Sequence, residues 1–428
     1  MSAQDLTSIG TLSVTPRTPA HRAIQAFLNH SFAGQVDFLA ELVRVPSDNP
    51  PGDCATHAER TAVLLEQLGW PIERHPVPKA EVEAVGMRSA VNLVVRRRFG
   101  PGPVIALNAH GDVVPPGEGW TQDPYGAAIV GGAMFGRGVA VSKSDIATYA
   151  FALKALEAAA EQGSRLGGTV ELHITYDEES GGEIGPRRLL EQGVSRPDLA
   201  LGAGFAYAVV VAHNGVLHLE VKVHGKQAHA AMPYTGVDAL VAANAVLTAL
   251  YQHRQGYARL VSKVEGIGSP QLTVGLIHGG VNTNVVPDLI TFRLDRRMIP
   301  EENPAEVERD LTAVIQGAAA AFAGVRCEVR HILLAQPLRP QPGHERLAEA
   351  IVSNAQDVLG ERIPANGLPL YTDARHYAER GIPIVLYGAG PRSILEANAH
   401  RADENLRLSD LRKATEVVAR ALSDLLAQ

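Results

Sequence analysis

In the first half of the chain, apolar positions recur at helical spacing and then gather into short continuous runs, and this alternation predicts a mostly parallel α/β sheet. The periodicity predicts helices over 32–43 and 55–68, strands over 92–95 and 104–107, a Gly-rich loop over 131–138, an Ala/Leu helix over 145–161 and a strand over 169–176. From Val216 the pattern changes. Leu217, Leu219, Val221 and Val223 alternate with His218, Glu220 and Lys222, as in a half-buried strand of an antiparallel sheet. Then come a helix (236–253), two strands (271–277 and 289–297), a helix (304–322) and a strand (325–329), the βαββαβ order of a ferredoxin-like unit. After Leu338 the α/β pattern resumes with a helix over 345–358, a short buried strand over 383–386 and a closing helix over 410–426. The expected architecture is therefore an α/β domain in two parts, 1–213 and 334–428, interrupted by an inserted ferredoxin-like domain, 214–333.

Size agrees with this division, since 428 residues exceed what one core usually organises. A net charge of -7 argues against a nucleic-acid partner. Cys54 and Cys327 are far apart and outside any CxxC or Cys/His spacing, which excludes a disulfide framework and a zinc ribbon and fits a reducing compartment. Residues 1–17 lack a basic segment followed by an apolar one, and no run of about 18 apolar residues occurs. The expected location is cytoplasmic, with no membrane partner.

Candidate chemistry falls just past the ends of two expected strands, where open α/β sheets bind ligands. His110 and Asp112 follow the first strand, and a metal-bound His usually has its second ring nitrogen oriented by a carboxylate, which Asp112 offers. A loop His beside a turn Asp is the ordinary alternative. Glu178 and Glu179 follow the strand over 169–176. Adjacent carboxylates repel, so the pair makes sense at a cleft if one binds a cation and the other handles a proton; a solvated acidic loop is the alternative.

Read in order, the motifs Val45-Pro-Ser-Asp-Asn-Pro-Pro-Gly52, His110-Gly-Asp-Val-Val-Pro115, Trp120, Gly136-Arg-Gly138, Lys143, Asp177-Glu-Glu179, Ala228-His229, Asn284-Val-Val-Pro287 and Ala399-His-Arg-Ala-Asp-Glu404 resemble one metallopeptidase family. It contains aminoacylase, acetylornithine deacetylase, succinyl-diaminopimelate desuccinylase and bacterial glutamate carboxypeptidase. The resemblance implies a catalytic α/β domain with a ferredoxin-like lid that often dimerises. It further implies that His110, Glu179 and His400 are metal ligands, Asp112 orients His110, and Glu178 is the general base. His229 would stabilise the oxyanion of a neighbouring subunit's site in a homodimer. Asn284 and Arg297 would hold a small-molecule carboxylate substrate.

Two family positions depart from the pattern. The aspartate that bridges two metals is replaced by Val141, and a second carboxylate position falls at Ala203, with no Asp or Glu from Leu199 through Leu219. Asp145, four residues beyond Val141, is expected to serve its own helix N-terminus. His110, Glu179, His400 and a water form a complete mononuclear set, so one divalent ion per chain is expected, Zn²⁺, Mn²⁺ or Co²⁺. The resulting expectation is hydrolysis of a C–N bond, the amide of an N-acyl amino acid or small peptide-like carboxylate, with Glu178 as base. Two alternatives accompany it: an aminohydrolase acting on an aryl amine such as a nitro-substituted aminobenzoate, and a non-catalytic scaffold.

Overall fold

The apolar runs outside the inserted segment form an eight-stranded sheet in the computed structural model, which describes residues 9–11 and 15–428. The absence of a leader pattern was read from a segment that includes residues 1–8 and 12–14, which lie outside the described residues. Strand order across the sheet is Glu73–Pro76, Val91–Arg98, Thr169–Thr175, Val104–His110, Leu199–Gly202, Ile384–Leu386, Val209–His213 and Ala365–Leu368. The four from Thr169–Thr175 to Ile384–Leu386 run parallel and are buried almost throughout, whereas their flanking strands pair antiparallel. Strands such as Leu199–Gly202 went unread because short, fully buried runs carry no alternation.

One register decides where the chemistry lies. His110 and Thr175 are parallel partners at the carboxyl ends of adjacent strands. The chain therefore leaves both strands on the same edge, and Asp112 and Asp177–Glu179 follow within a few residues.

Helices Pro19–Val43, Lys143–Glu161, His344–Leu359 and Leu408–Leu426 share the core of this unit with the strand residues Leu93, Ile105, Leu107, Val170 and Leu172. The first helix begins well before the expected 32. Thr18 caps it by accepting the His21 N–H at 3.1 Å, Pro19 opens it, and Ile24, Leu28, Phe32, Val36 and Leu39 form one buried stripe. The expected loop over 131–138 instead contains half of a hairpin. Ala128–Val130 pairs with Ala133–Phe135 across Gly131 and Gly132, whose φ values of 58° and 80° allow the tight reversal. Asn405–Arg407 adds a third strand to it, which brings the segment after His400 alongside Gly136–Val141.

The second compact unit comprises residues 212–339 with 367–371, set against 214–333 from the sequence. Its four-stranded antiparallel sheet has the order Gln271–Gly279, Leu289–Met298, Gly215–His224 and Arg326–Ala335, with helices Ala239–Gln255 and Pro304–Ala319, a ferredoxin-like βαββαβ unit. Leu217, Leu219, Val221 and Val223 face its core with Leu311 and Ile315. The last strand outruns its expected end at 329 because an irregularity between His331 and Leu333 lets pairing with Gly215–His224 continue to Ala335.

Candidate metal centre

His110 ends its strand with its ring buried and its backbone fixed, because the Ser142 hydroxyl bonds both its N–H and its carbonyl at 3.1 Å. The imidazole Nδ1 donates to the backbone carbonyl of Asp112 at 2.9 Å, while the Asp112 carboxylate stands 3.4 Å away. Carbonyl and carboxylate of Asp112 thus both face this nitrogen. The carboxylate also accepts the N–H of Glu178 at 3.3 Å, that of Glu179 at 3.1 Å, and the Asn49 amide at 3.0 Å. Asp112 therefore holds the loop that carries the two glutamates, and Asn49 ties the Val45–Gly52 motif to it.

His110, Glu178 and Glu179 each offer a ligand atom within 4.8 Å of the others. His110 Nε2 lies 3.9 Å from Glu178. Glu179 Oε1 is buried without a hydrogen-bond partner, and the nearest charge to it is His400 Nε2 at 3.4 Å. His400 stays outside the group of three; its side chain is half exposed, and its φ of 61° places it in the left-handed region. Burial, seconded by Glu179, Asp373 and Asp112, raises the Glu178 carboxyl well above its usual range despite His110. Burial alone would lower His110, but Asp112, Glu178 and Glu179 outweigh it and hold the ring above its ordinary value. His400 is raised chiefly by Glu179. A buried group with so many carboxylates, one oxygen unpaired, has the donor set and the charge deficit that a dication satisfies.

These residues fit a metal ion. Val141 and Ala203 both pack against the hydrophobic core, and the described residues contain no second group of three candidate ligands. The Val141 N–H is taken by Glu404, which also accepts from Ala140 and forms a fully buried ion pair with Arg137 at 2.5 Å. Arg137 in turn lies over the Trp120 ring at 5.2 Å. These matched residues form a frame that fixes the Gly136–Val141 loop beside the His400 segment. Asp145 differs from expectation: although it sits in the first turn of Lys143–Glu161, its carboxylate accepts the Ala389 N–H at 2.7 Å, joining the helix to a distant loop, and burial pushes it up to about 7. Lys143 is buried against the Val45 carbonyl at 3.1 Å, and burial brings its amine down to about 7.

In the second unit, a two-stranded ladder sets His229 opposite Val285, next to Asn284, whose carbonyl takes the Ala230 N–H at 3.0 Å; both side chains are exposed. Arg297 Nε donates to Asp295 at 2.9 Å, and His218 holds the other Asp295 oxygen at 2.8 Å. The two terminal nitrogens of Arg297 have no hydrogen-bond partner among the described residues.

Residues 106–424 match the model of peptidase family M20/M25/M40. The chain belongs to this family. It is 29% identical over 405 residues to the succinyl-diaminopimelate desuccinylase of Acidiphilium cryptum (strain JF-5), an alignment covering 91% of this chain and 98% of that protein. The corresponding desuccinylase of Gluconobacter oxydans (strain 621H) is 28% identical over 370 residues, 83% of this chain and 88% of its own. Among solved structures, an M20 family metallo-carboxypeptidase from Sulfolobus solfataricus superimposes with a TM-score of 0.74 at 17% identity, covering 92% of this chain and 98% of the other. Human carnosine dipeptidase 1 gives the same TM-score, 0.74, at 17% identity over 96% and 99% of the two chains. This M20/M25/M40 member is a metallohydrolase acting on C–N amide bonds, and among its described residues no helix is long and apolar enough to cross a membrane.

Sequence reasoning missed Ser142, Asp373, Arg375 and His376. The last three stand in one short stretch, Asp373-Ala-Arg-His376, ahead of the buried strand Ile384–Leu386. That run of ionisable residues beside a core strand was the available signal.

Proposed function

We propose that the chain hydrolyses the amide of an N-acyl amino acid or a small peptide-like carboxylate with one divalent ion, held by His110, Glu179 and His400. The observation that carries this reading is the buried Glu179 oxygen without a hydrogen bond beside His110 and Glu178, with His400 at 3.4 Å. Bound there, the ion supplies a Lewis acid and lowers the pKa of a water. Glu178, 3.9 Å from His110, takes the water's proton and passes it to the leaving nitrogen. His229 stabilises the oxyanion, and Arg297, with Asn284, holds the substrate carboxylate in its planar fork. The desuccinylase relatives favour an N-succinyl or similar N-acyl amino acid. The free thiols Cys54 and Cys327 suit the cytoplasm. Chelator-treated protein assayed with N-succinyl amino acids, N-acetyl amino acids and dipeptides should be inactive and recover with Zn²⁺, Mn²⁺ or Co²⁺. Turnover that ignores chelator would overturn the reading, and activity confined to aminobenzoates would move the bond to an aryl amine.

We further propose a homodimer assembled through the second unit, with His229 completing the partner subunit's site. In support, the edge strand Gln271–Gly279 exposes Leu276 and Ile277, at 58% and 54%, and Val281 beyond it is 70% exposed; a bare apolar edge invites pairing with a second copy. Mixing inactive Glu178→Gln and His229→Ala chains should restore activity, because a mixed dimer contains one intact composite site. A fully active monomer by light scattering would exclude this assembly.

A further inference from the structure

The loop carrying Glu178 and Glu179 is held at its near end by Asp112, through the N–H groups of both glutamates. Its far end is held by two buried side chains to which the hydrolytic reading assigns no role. Arg375 Nη2 and His376 Nε2 both donate to the carbonyl of Gly181, the His at 3.1 Å. Burial keeps the His376 ring neutral, so its single proton sits on the nitrogen that faces this carbonyl. Arg375 is backed by Glu183 at 3.4 Å and Glu379 at 4.0 Å, and both donors lie on the short helix Ala374–Ala378. The approach is close: at Gly182, with φ of 70°, a Cβ would come within 2.1 Å of Asp373 Oδ1 and 2.8 Å of His376 Nε2. Within the loop, the Gly181 N–H returns to the Glu178 carbonyl at 3.0 Å, so fixing Gly181 fixes the turn that presents both carboxylates.

We propose that Arg375 and His376 are positioning residues that clamp the Gly181 carbonyl and thereby set Glu178 and Glu179 at their working distance from His110. This rests on the reading of Glu178 as base and Glu179 as ligand. Partners that orient ligands typically change metal affinity or activity by roughly 10–100-fold when removed.

The test compares the full-length wild type with His376→Ala, His376→Gln and Arg375→Lys. In metal-free protein, His376→Ala should speed amide hydrogen exchange at residues 178–182 by about 10-fold or more while leaving helix Leu408–Leu426 at the wild-type rate. Titrated with Zn²⁺, it should bind roughly 10–100-fold more weakly, and in the reloaded enzyme kcat should fall while KM stays within about twofold. His376→Gln, whose amide can still donate to the carbonyl, should recover most of both losses. If His376→Ala does not fold, Arg375→Lys, which keeps the charge and loses the planar donor, carries the same comparisons. Uniformly faster exchange, or a lowered Tm with wild-type Zn²⁺ affinity and kcat, would overturn the clamp. A wild type that neither binds Zn²⁺ nor hydrolyses amides would sink the hydrolytic reading, and the exchange comparison would still decide the clamp.

Discussion

Glu178→Gln should fold, keep its metal and lose roughly 10²-fold or more in turnover, the usual scale for a positioned proton-transfer group. The substitution is nearly isosteric and leaves the backbone N–H that Asp112 holds untouched, so the loop has no cause to move. On the proposed reading, what disappears is the carboxylate 3.9 Å from His110 that takes the proton and returns it. The neighbouring residue should behave differently. Glu179 presents a buried oxygen without a hydrogen-bond partner, 3.4 Å from His400, and as the proposed ligand it would lose the charge that holds the ion in Glu179→Gln, so metal content should fall along with activity. Near-normal turnover in Glu178→Gln would assign the base elsewhere. Metal loss in Glu178→Gln with retention in Glu179→Gln would exchange the two roles.

The second large effect is expected at Arg297. Asp295 fixes its Nε while His218 fixes Asp295, so the guanidinium is already oriented for the carboxylate it is proposed to hold. Arg297→Lys keeps the charge but loses the two-pronged donor, which should cost kcat/KM on the order of 1.5–3 kcal/mol, about 10- to 150-fold. Esterifying the substrate's carboxylate should then hurt the wild type far more than the variant. An unchanged kcat/KM in Arg297→Ala on a carboxylate substrate would reopen the substrate class.

Much of this site was legible in the sequence because its chemistry sits on strand ends. The apolar runs announce both strands, read as 104–107 and 169–176 where the structure has Val104–His110 and Thr169–Thr175, and parallel pairing then brings Asp112 and Glu178–Glu179 together. The alternation from Leu217 to Val223 likewise foretold the inserted sheet. The first helix was cut short although its stripe repeats every three or four residues from Ile24; polar neighbours mask it, among them His21, which is buried and pairs with Asp424 at 2.8 Å. Contacts made by the main chain leave no residue-type signature. The Asp112 carbonyl on His110 and the Gly181 carbonyl under Arg375 and His376 could not be read for that reason. The destination of Asp145 was hidden for a related one, since its partner N–H belongs to Ala389, far along the chain.

On the proposed reading each chain holds one catalytic ion, because Val141 and Ala203, both packed against the hydrophobic core, offer no side-chain oxygen. Protein loaded with Zn²⁺ or Mn²⁺, freed of loose ions by desalting and measured by elemental analysis against protein concentration, tests it most directly. The expected ratio approaches one ion per chain and falls sharply in Glu179→Gln; two tightly held ions per chain, or one that survives Glu179→Gln, would rule out the single-ion site.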